Sequence, residues 1–168
     1  MTGIPGAETG GGDFEVFFDS VWPRVVALGR RMGLGVADAE DVALDALAIA
    51  HDRWGRVGRL EYREAWTLKV AARLALRAAG RRGAPVVERR EGASAEDLAL
   101  GSVAVEAALR RLPRRQRQVV VLRYLADLPE REVARILRID VGSVKQHASR
   151  ARATLRGVLV GVDAEESA

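Results

Sequence analysis

Apolar residues in this chain return every three or four positions, and no stretch alternates apolar and polar residues long enough to make a strand. Phe14, Phe17, Phe18 and Val21 share one helical face, which Val25, Leu28 and Met32 extend past Pro23. Gly33 and Gly35 interrupt that face. Asp38 is placed to N-cap a second helix, with Asp41 near the positive end of its dipole and an apolar stripe at Val42, Ala46, Ile49 and Ala50. Gly55 and Gly58 bracket a basic loop, and a third helix is expected over 62–82 with Trp66, Val70 and Leu74 on one side. Further on, Val105, Ala108, Leu109 and Leu112 form another stripe, and Pro113 opens a helix to about Leu125. Two more helices are expected near 130–137 and 141–157. The pattern is that of an all-α protein.

Composition removes several kinds of chemistry. The 168 residues include no cysteine and two histidines, His51 and His147, so disulfides, thiolate metal sites and a cysteine nucleophile are excluded, and a multi-histidine metal centre is not expected. No nucleophile–base–orienter set and no phosphate-cradling glycine loop stands out, so no catalytic residue and no cofactor is assigned. No apolar run approaches the roughly 20 residues needed to cross a bilayer. The glycine-rich segment 1–12 has no basic leader and reads as a disordered tail, so a cytoplasmic location is expected.

Charge is segregated along the chain. Residues 13–55 carry eight acids against four bases; residues 56–83 carry eight bases against Glu61 and Glu64. Residues 84–108 are acidic again, and residues 109–160 hold thirteen bases against four acids. Two basic blocks, each beside an acidic one, suggest two surfaces for a polyanion. Between them Gly80, Gly83, Pro85, Gly92, Ser94, Gly101 and Ser102 punctuate a stretch with little periodicity. It reads as a flexible linker of about 20 residues, able to span some 25 Å on average.

The sharpest local pattern lies at 130–152. The helix Glu-Arg-Glu-Val-Ala-Arg-Ile-Leu meets a three-residue break, Arg138-Ile139-Asp140, and a second helix then starts with Ser143, Lys145, Gln146, Ser149 and Arg150 available on its outer side. Ala134 is small where two helices must cross, and Ile139 and Val144 are apolar where the turn must tuck inward. This is a helix-turn-helix, whose second helix enters the major groove of DNA. Arginine and lysine suit guanine, glutamine suits adenine, and serine reaches phosphate or base. Arg114, Arg115 and Arg117 open the preceding helix and are candidate phosphate clamps. A plain helical hairpin with a solvated basic face is the competing reading.

With both blocks in view, the chain resembles the bacterial RNA polymerase sigma factors of the extracytoplasmic-function type. The resemblance runs over 14–82 and 105–159. LRRLPRRQRQVVVLRYLADLPEREVARILRIDVGSVKQHASRARATLR looks like the family's promoter-binding C-terminal domain, and AEDVALDAL, Trp54 and EAWTLKVAARLALRAAGRR resemble its polymerase-binding and promoter-melting segments. The resemblance implies that a helix over 38–51 docks on the clamp helices of the polymerase largest subunit, through Asp38, Asp41, Val42 and Asp45. It implies that Arg56, Arg59, Tyr62, Arg63, Trp66, Lys69, Arg73 and Arg77 meet the minus-10 element, first as duplex and then as melted single strand. Ser143, Lys145, Gln146, Ser149 and Arg150 would read the minus-35 element, with Arg114, Arg115 and Arg117 on its backbone. An anti-sigma factor is a further candidate partner; a membrane is not.

The resemblance divides the chain into a tail (1–12), a region 2-like domain (13–82), a linker (83–102), a region 4-like domain (103–160) and an acidic tail (161–168). The expected fold is therefore two small helical domains joined by a flexible linker, the second containing the helix-turn-helix. Departures fall mostly in the first block. Leu44 and Leu47 stand where the family usually has glutamine and an aromatic, and Ala72, Arg73 and Arg77 stand at positions usually held by arginine, asparagine and aspartate. Arg138 replaces a common glycine in the turn. Two functions follow: a sigma factor directing transcription initiation, or a sigma-like DNA-binding regulator with weakened or lost promoter melting.

Overall fold

The computed structural model describes residues 11–81 and 103–166, with side chains at 12–81 and 105–157. Every regular element among them is helical. The N-terminal unit holds α1 (Gly11–Arg31), α2 (Val36–Asp52), the single turn α3 (Trp54–Val57) and α4 (Arg63–Arg81). The C-terminal unit holds α5 (Val103–Arg111), α6 (Arg114–Val120), a π-helical turn (Val121–Leu125), α7 (Glu130–Leu137) and α8 (Val141–Glu166). Residues 1–10 of the tail expected at 1–12, and the linker expected at 83–102, lie outside the described residues; Gly11 and Gly12, expected in that tail, instead open α1.

The N-terminal unit is a three-helix bundle of α1, α2 and α4. Phe17, Val21, Val25, Leu28 and Met32 fill the inner stripe of α1, spaced as one face of a helix requires. Against it lie Ala39, Ala43, Ala46 and Ala50 of α2 and Ala71, Ala72, Ala75 and Ala78 of α4. So many alanines let the helices approach closely. At the crossing of α1 and α2 a Cβ built on Gly29 would stand 3.0 Å from the Cβ of Ala39, so only glycine fits there comfortably. Gly33, at φ 99°, makes the left-handed turn that ends α1. The basic loop expected between Gly55 and Gly58 is instead part of the short helical turn α3. Asp38 does not cap α2: the helix starts at Val36 with Gly35 as its N-cap, which leaves Asp38 in the first turn.

In the C-terminal unit the run Gln118-Val119-Val120-Val121-Leu122 is buried at every position. No single α-helical face can be that wide. Val120 packs with Leu109, Leu112 and Ala151, while Val119, Val121 and Leu122 join the larger core. The segment is thus sandwiched, and the π turn, closed by Ala126 N–H donating to the Val121 carbonyl at 3.1 Å, widens its inner face. α8 runs to Glu166, beyond the end expected near residue 157 and into the expected acidic tail.

The two units touch. The larger core is continuous from Phe17 to Ala148, and α1 packs against the π turn. The Arg31 Nε donates to Glu106 Oε1 at 2.6 Å, with Arg31 buried. Glu132 of α7 reaches Lys69 and Arg73 of α4.

Candidate nucleic-acid interface

The helix-turn-helix is built by local rules. Arg138 ends α7 in the left-handed conformation, φ 55° and ψ 47°. Its neighbour Ile139 donates its N–H to the Ala134 carbonyl at 3.1 Å, the same carbonyl that accepts the Arg138 N–H, and this shared acceptor closes the end of α7. Asp140 then caps α8. Its Oδ1 accepts the Ser143 N–H at 2.8 Å, and its Oδ2 accepts the Ser143 hydroxyl at 2.6 Å. Bonding from the Ser143 hydroxyl and then from the Ser143 backbone N–H holds the Asp140 carboxyl below the usual carboxylate range.

Val144, Ala148 and Ala151 of α8 face inward. That leaves Lys145, Gln146, Ser149 and Arg150 exposed on one continuous outer face. Of the five residues expected to read DNA, these four are exposed, with Lys145 Nζ 3.9 Å from Glu130 Oε2. Ser143 is already committed to the Asp140 cap. Among the candidate clamps, Arg114 and Arg115 are exposed, and Arg115 Nη1 donates to Gln118 Oε1 at 3.2 Å. Arg117 is half-buried; burial and then the charge of Arg114 push its guanidinium below its usual range. It is the least available of the three.

The second basic surface lies on α3, α4 and the loop between them. Arg56, Arg59, Tyr62, Arg63, Arg73 and Arg77 are exposed. Trp66 is half-buried and packs against the core, so Tyr62, 64% exposed, is the aromatic that a base could reach. Lys69, Arg73 and Arg77 follow at four-residue spacing and form one stripe along α4. The first two are engaged by Glu132, whose Oε2 lies 2.7 Å from Lys69 Nζ and 3.8 Å from Arg73 Nη2.

Beside this surface is a cleft of about 790 Å³, bounded by Phe17, Trp54, Arg59, Glu61, Arg63 and Glu64 among others. The ring centroids of Phe17 and Trp54 are 4.9 Å apart, and the Arg63 guanidinium sits over Phe17 at 5.8 Å. An Arg24–Glu64 ion pair ties α1 to α4. The cleft is absent from the sequence reading, which gives Phe17 to the core. The signal available was Trp54, an aromatic at a helix end beside two glycines.

The acidic surface is on α2. Glu40, Asp41, Leu44, Asp45 and Ala48 are exposed. Val42 is 6% exposed and belongs to the core, so it cannot be the apolar contact expected between Asp41 and Asp45. Helical geometry turns it inward with Ala39 and Ala46, three and four residues away. Leu44, 51% exposed, is the apolar side chain that stands between those two acids. Among the described residues there is no cluster of His, Asp or Glu suited to a metal ion, and no helix long and apolar enough to cross a membrane.

Residues 102–155 match the family described as sigma-70, region 4. The chain is 27% identical over 167 residues to the ECF RNA polymerase sigma factor SigW of Bacillus subtilis, covering 86% of this chain and 89% of the relative. Its fold is similar to that of the sigma factor RpoE of Bartonella quintana, solved in complex with the anti-sigma factor NepR: the TM-score is 0.60 at 22% identity, over 88% of this chain and 96% of the other. It is also similar to CnrH, solved with the cytosolic domain of CnrY, at TM-score 0.55 and 24% identity over 88% of each chain. The Mycobacterium tuberculosis extracytoplasmic function sigma factor SigJ aligns at TM-score 0.57 and 24% identity, over 84% of this chain and 52% of that one. The C-terminal part of the chain thus matches sigma-70 region 4, and along most of its length the chain is similar to a sigma factor of the extracytoplasmic-function type.

Proposed function

We propose that this protein is a dissociable specificity subunit of a bacterial RNA polymerase, acting in the cytoplasm by binding rather than by a reaction of its own. The observation that carries the proposal is the outer face of α8, where Lys145, Gln146, Ser149 and Arg150 project together from a capped helix-turn-helix. Such a face suits the major groove of an upstream promoter element, with Arg114 and Arg115 on the flanking phosphates. In the same reading residues 13–82 form the polymerase-binding and minus-10 domain and residues 103–160 the minus-35 domain. The face of α2 with Asp38, Asp41, Leu44 and Asp45 would meet the clamp helices of the polymerase. Opposite charge speeds such an encounter, and a central apolar side chain supplies affinity.

Arg56, Arg59, Tyr62, Arg63 and Arg77 would track the minus-10 strand, the cations on its backbone and Tyr62 against a base. Unstacking a base costs a few kcal/mol, which contacts from both domains and the polymerase must offset. An anti-sigma factor fits as a regulator, since the relatives RpoE and CnrH were solved with NepR and CnrY. Run-off transcription with purified core polymerase on a genomic fragment library tests the proposal. Initiation at specific sites is the expected result; its absence, with specific duplex binding retained, leaves a DNA-binding regulator instead. That second reading draws on one observation, the pairing of Lys69 and Arg73 with Glu132.

A further inference from the structure

Glu132 sits in an unusual place for an acid. It is the third residue of α7, the first helix of the helix-turn-helix, yet one of its oxygens faces the other unit. Oε1 lies 2.6 Å from Arg135 Nη1 on its own helix, while Oε2 lies against Lys69 and Arg73 across the contact. Its side chain is 18% exposed and that of Lys69 is 29% exposed, so solvent screens this pair far less than a free surface pair. Both units are rich in arginine, and two cationic surfaces brought together repel. One carboxylate at the contact reverses the sign of that interaction. A carboxylate oxygen seated on an ammonium and a guanidinium also repeats what a phosphodiester oxygen does on the same two groups.

We propose that Glu132 acts as an internal stand-in for a nucleic-acid phosphate, closing the molecule on itself by occupying the upper two cations of the Lys69–Arg73–Arg77 stripe until a single strand displaces it. This rests on the reading of that stripe as a strand-tracking surface. The occupancy is selective. In the closed form the α8 face remains exposed, so the duplex reader stays open while the strand reader is partly filled. Because the two units belong to one chain, a weak contact suffices to hold the closed form. Apparent strand affinity falls by the closed fraction: a closed population of about nine-tenths weakens it about tenfold.

The test uses the full chain with single-molecule energy transfer between dyes at Ala48→Cys and Thr154→Cys, both exposed positions in a protein with no native cysteine. Glu132→Gln and, separately, Lys69→Gln should each deplete the high-transfer population, whereas Glu130→Gln, which removes the same charge from the same helix at a contact with Lys145, should leave it in place. In parallel, binding of an oligonucleotide of mixed sequence is measured as single strand and as duplex. Glu132→Gln should raise single-strand affinity several-fold above Glu130→Gln and change duplex affinity little. If both Glu132→Gln and Lys69→Gln keep the wild-type transfer distribution, Glu132 does not close the molecule and the proposal is overturned. If closure loosens but single-strand affinity does not rise, the contact is real and the stripe is not a strand reader, which removes the displacement claim and the minus-10 assignment together.

Discussion

Arg138 shows how a single residue can carry strain without losing the fold. A left-handed residue with a Cβ costs roughly 1–2 kcal/mol, and arginine has no short polar group to offset it. The turn holds because the residues beside it are over-determined: Ile139 is pinned by its bond to Ala134, and Asp140 is fixed by Ser143. Arg138→Gly should therefore stabilise the protein by about 0.5–1 kcal/mol, the relief being partly offset by the greater freedom of glycine in the unfolded chain. Urea unfolding monitored by circular dichroism reads this directly, and an unchanged midpoint would show that the turn bears no strain. At this scale the sequence was informative where side chains act locally. The break at 138–140 is legible from three residues, but the Asp140–Ser143 cap, which engages the Ser143 hydroxyl, was not, because serine suits a cap and a phosphate equally well.

Among the elements, α8 is the one whose two faces separate most clearly by chemistry. Replacing Arg150 or Gln146 with alanine should weaken duplex binding while the helical signal stays intact, because neither side chain is in the core. Arg115→Ala should lower the slope of log affinity against log salt by about one unit, the signature of one lost phosphate contact. Titrations at several salt concentrations separate the two effects. On α2, Asp41→Lys combined with Asp45→Lys should reduce recovery of the polymerase complex in a pull-down; undiminished recovery would move the docking face elsewhere. Helix positions were legible from apolar spacing, since α1, α2 and α4 lie within about three residues of where periodicity puts them. Val42 went astray for a reason intrinsic to helices: it is turned about 100° from Asp41 and about 60° from Asp45, and only the packing partners decide which way it points.

At the level of the whole molecule, what periodicity could not show is that the two units meet. Each half has its own apolar pattern, and contacts between halves depend on side chains separated by sixty residues or more, such as Lys69 with Glu132 and Arg31 with Glu106. Charge counts pointed toward repulsion, and the acids that overcome it are Glu132, one of four acids in the basic block 109–160, and Glu106, from the acidic stretch before it. The Glu132 carboxyl is held below its ordinary value of 4.5, first by hydrogen bonding from Lys69 and then by the charges of Lys69 and Arg135, against an opposing push from burial. A depressed folded-state value means the contribution is complete above the unfolded value and disappears as pH falls through the folded one. Wild type should thus melt at a higher temperature than Glu132→Gln near neutral pH, and the gap should close as the solution is acidified below about pH 4. A gap independent of pH would assign the stability to shape rather than charge.

The near-contact of Gly29 with Ala39 reaches well beyond its own helix crossing. α2 carries the acid face on its outside and leads directly into the turn that bounds the cleft, so its distance from α1 sets where both of them stand. One methyl added at Gly29 would act as a shim, tilting the acid plate and the aromatic notch by the same small wedge. Tolerances of a few tenths of an ångström at a buried joint are thereby written into two surfaces that never touch each other.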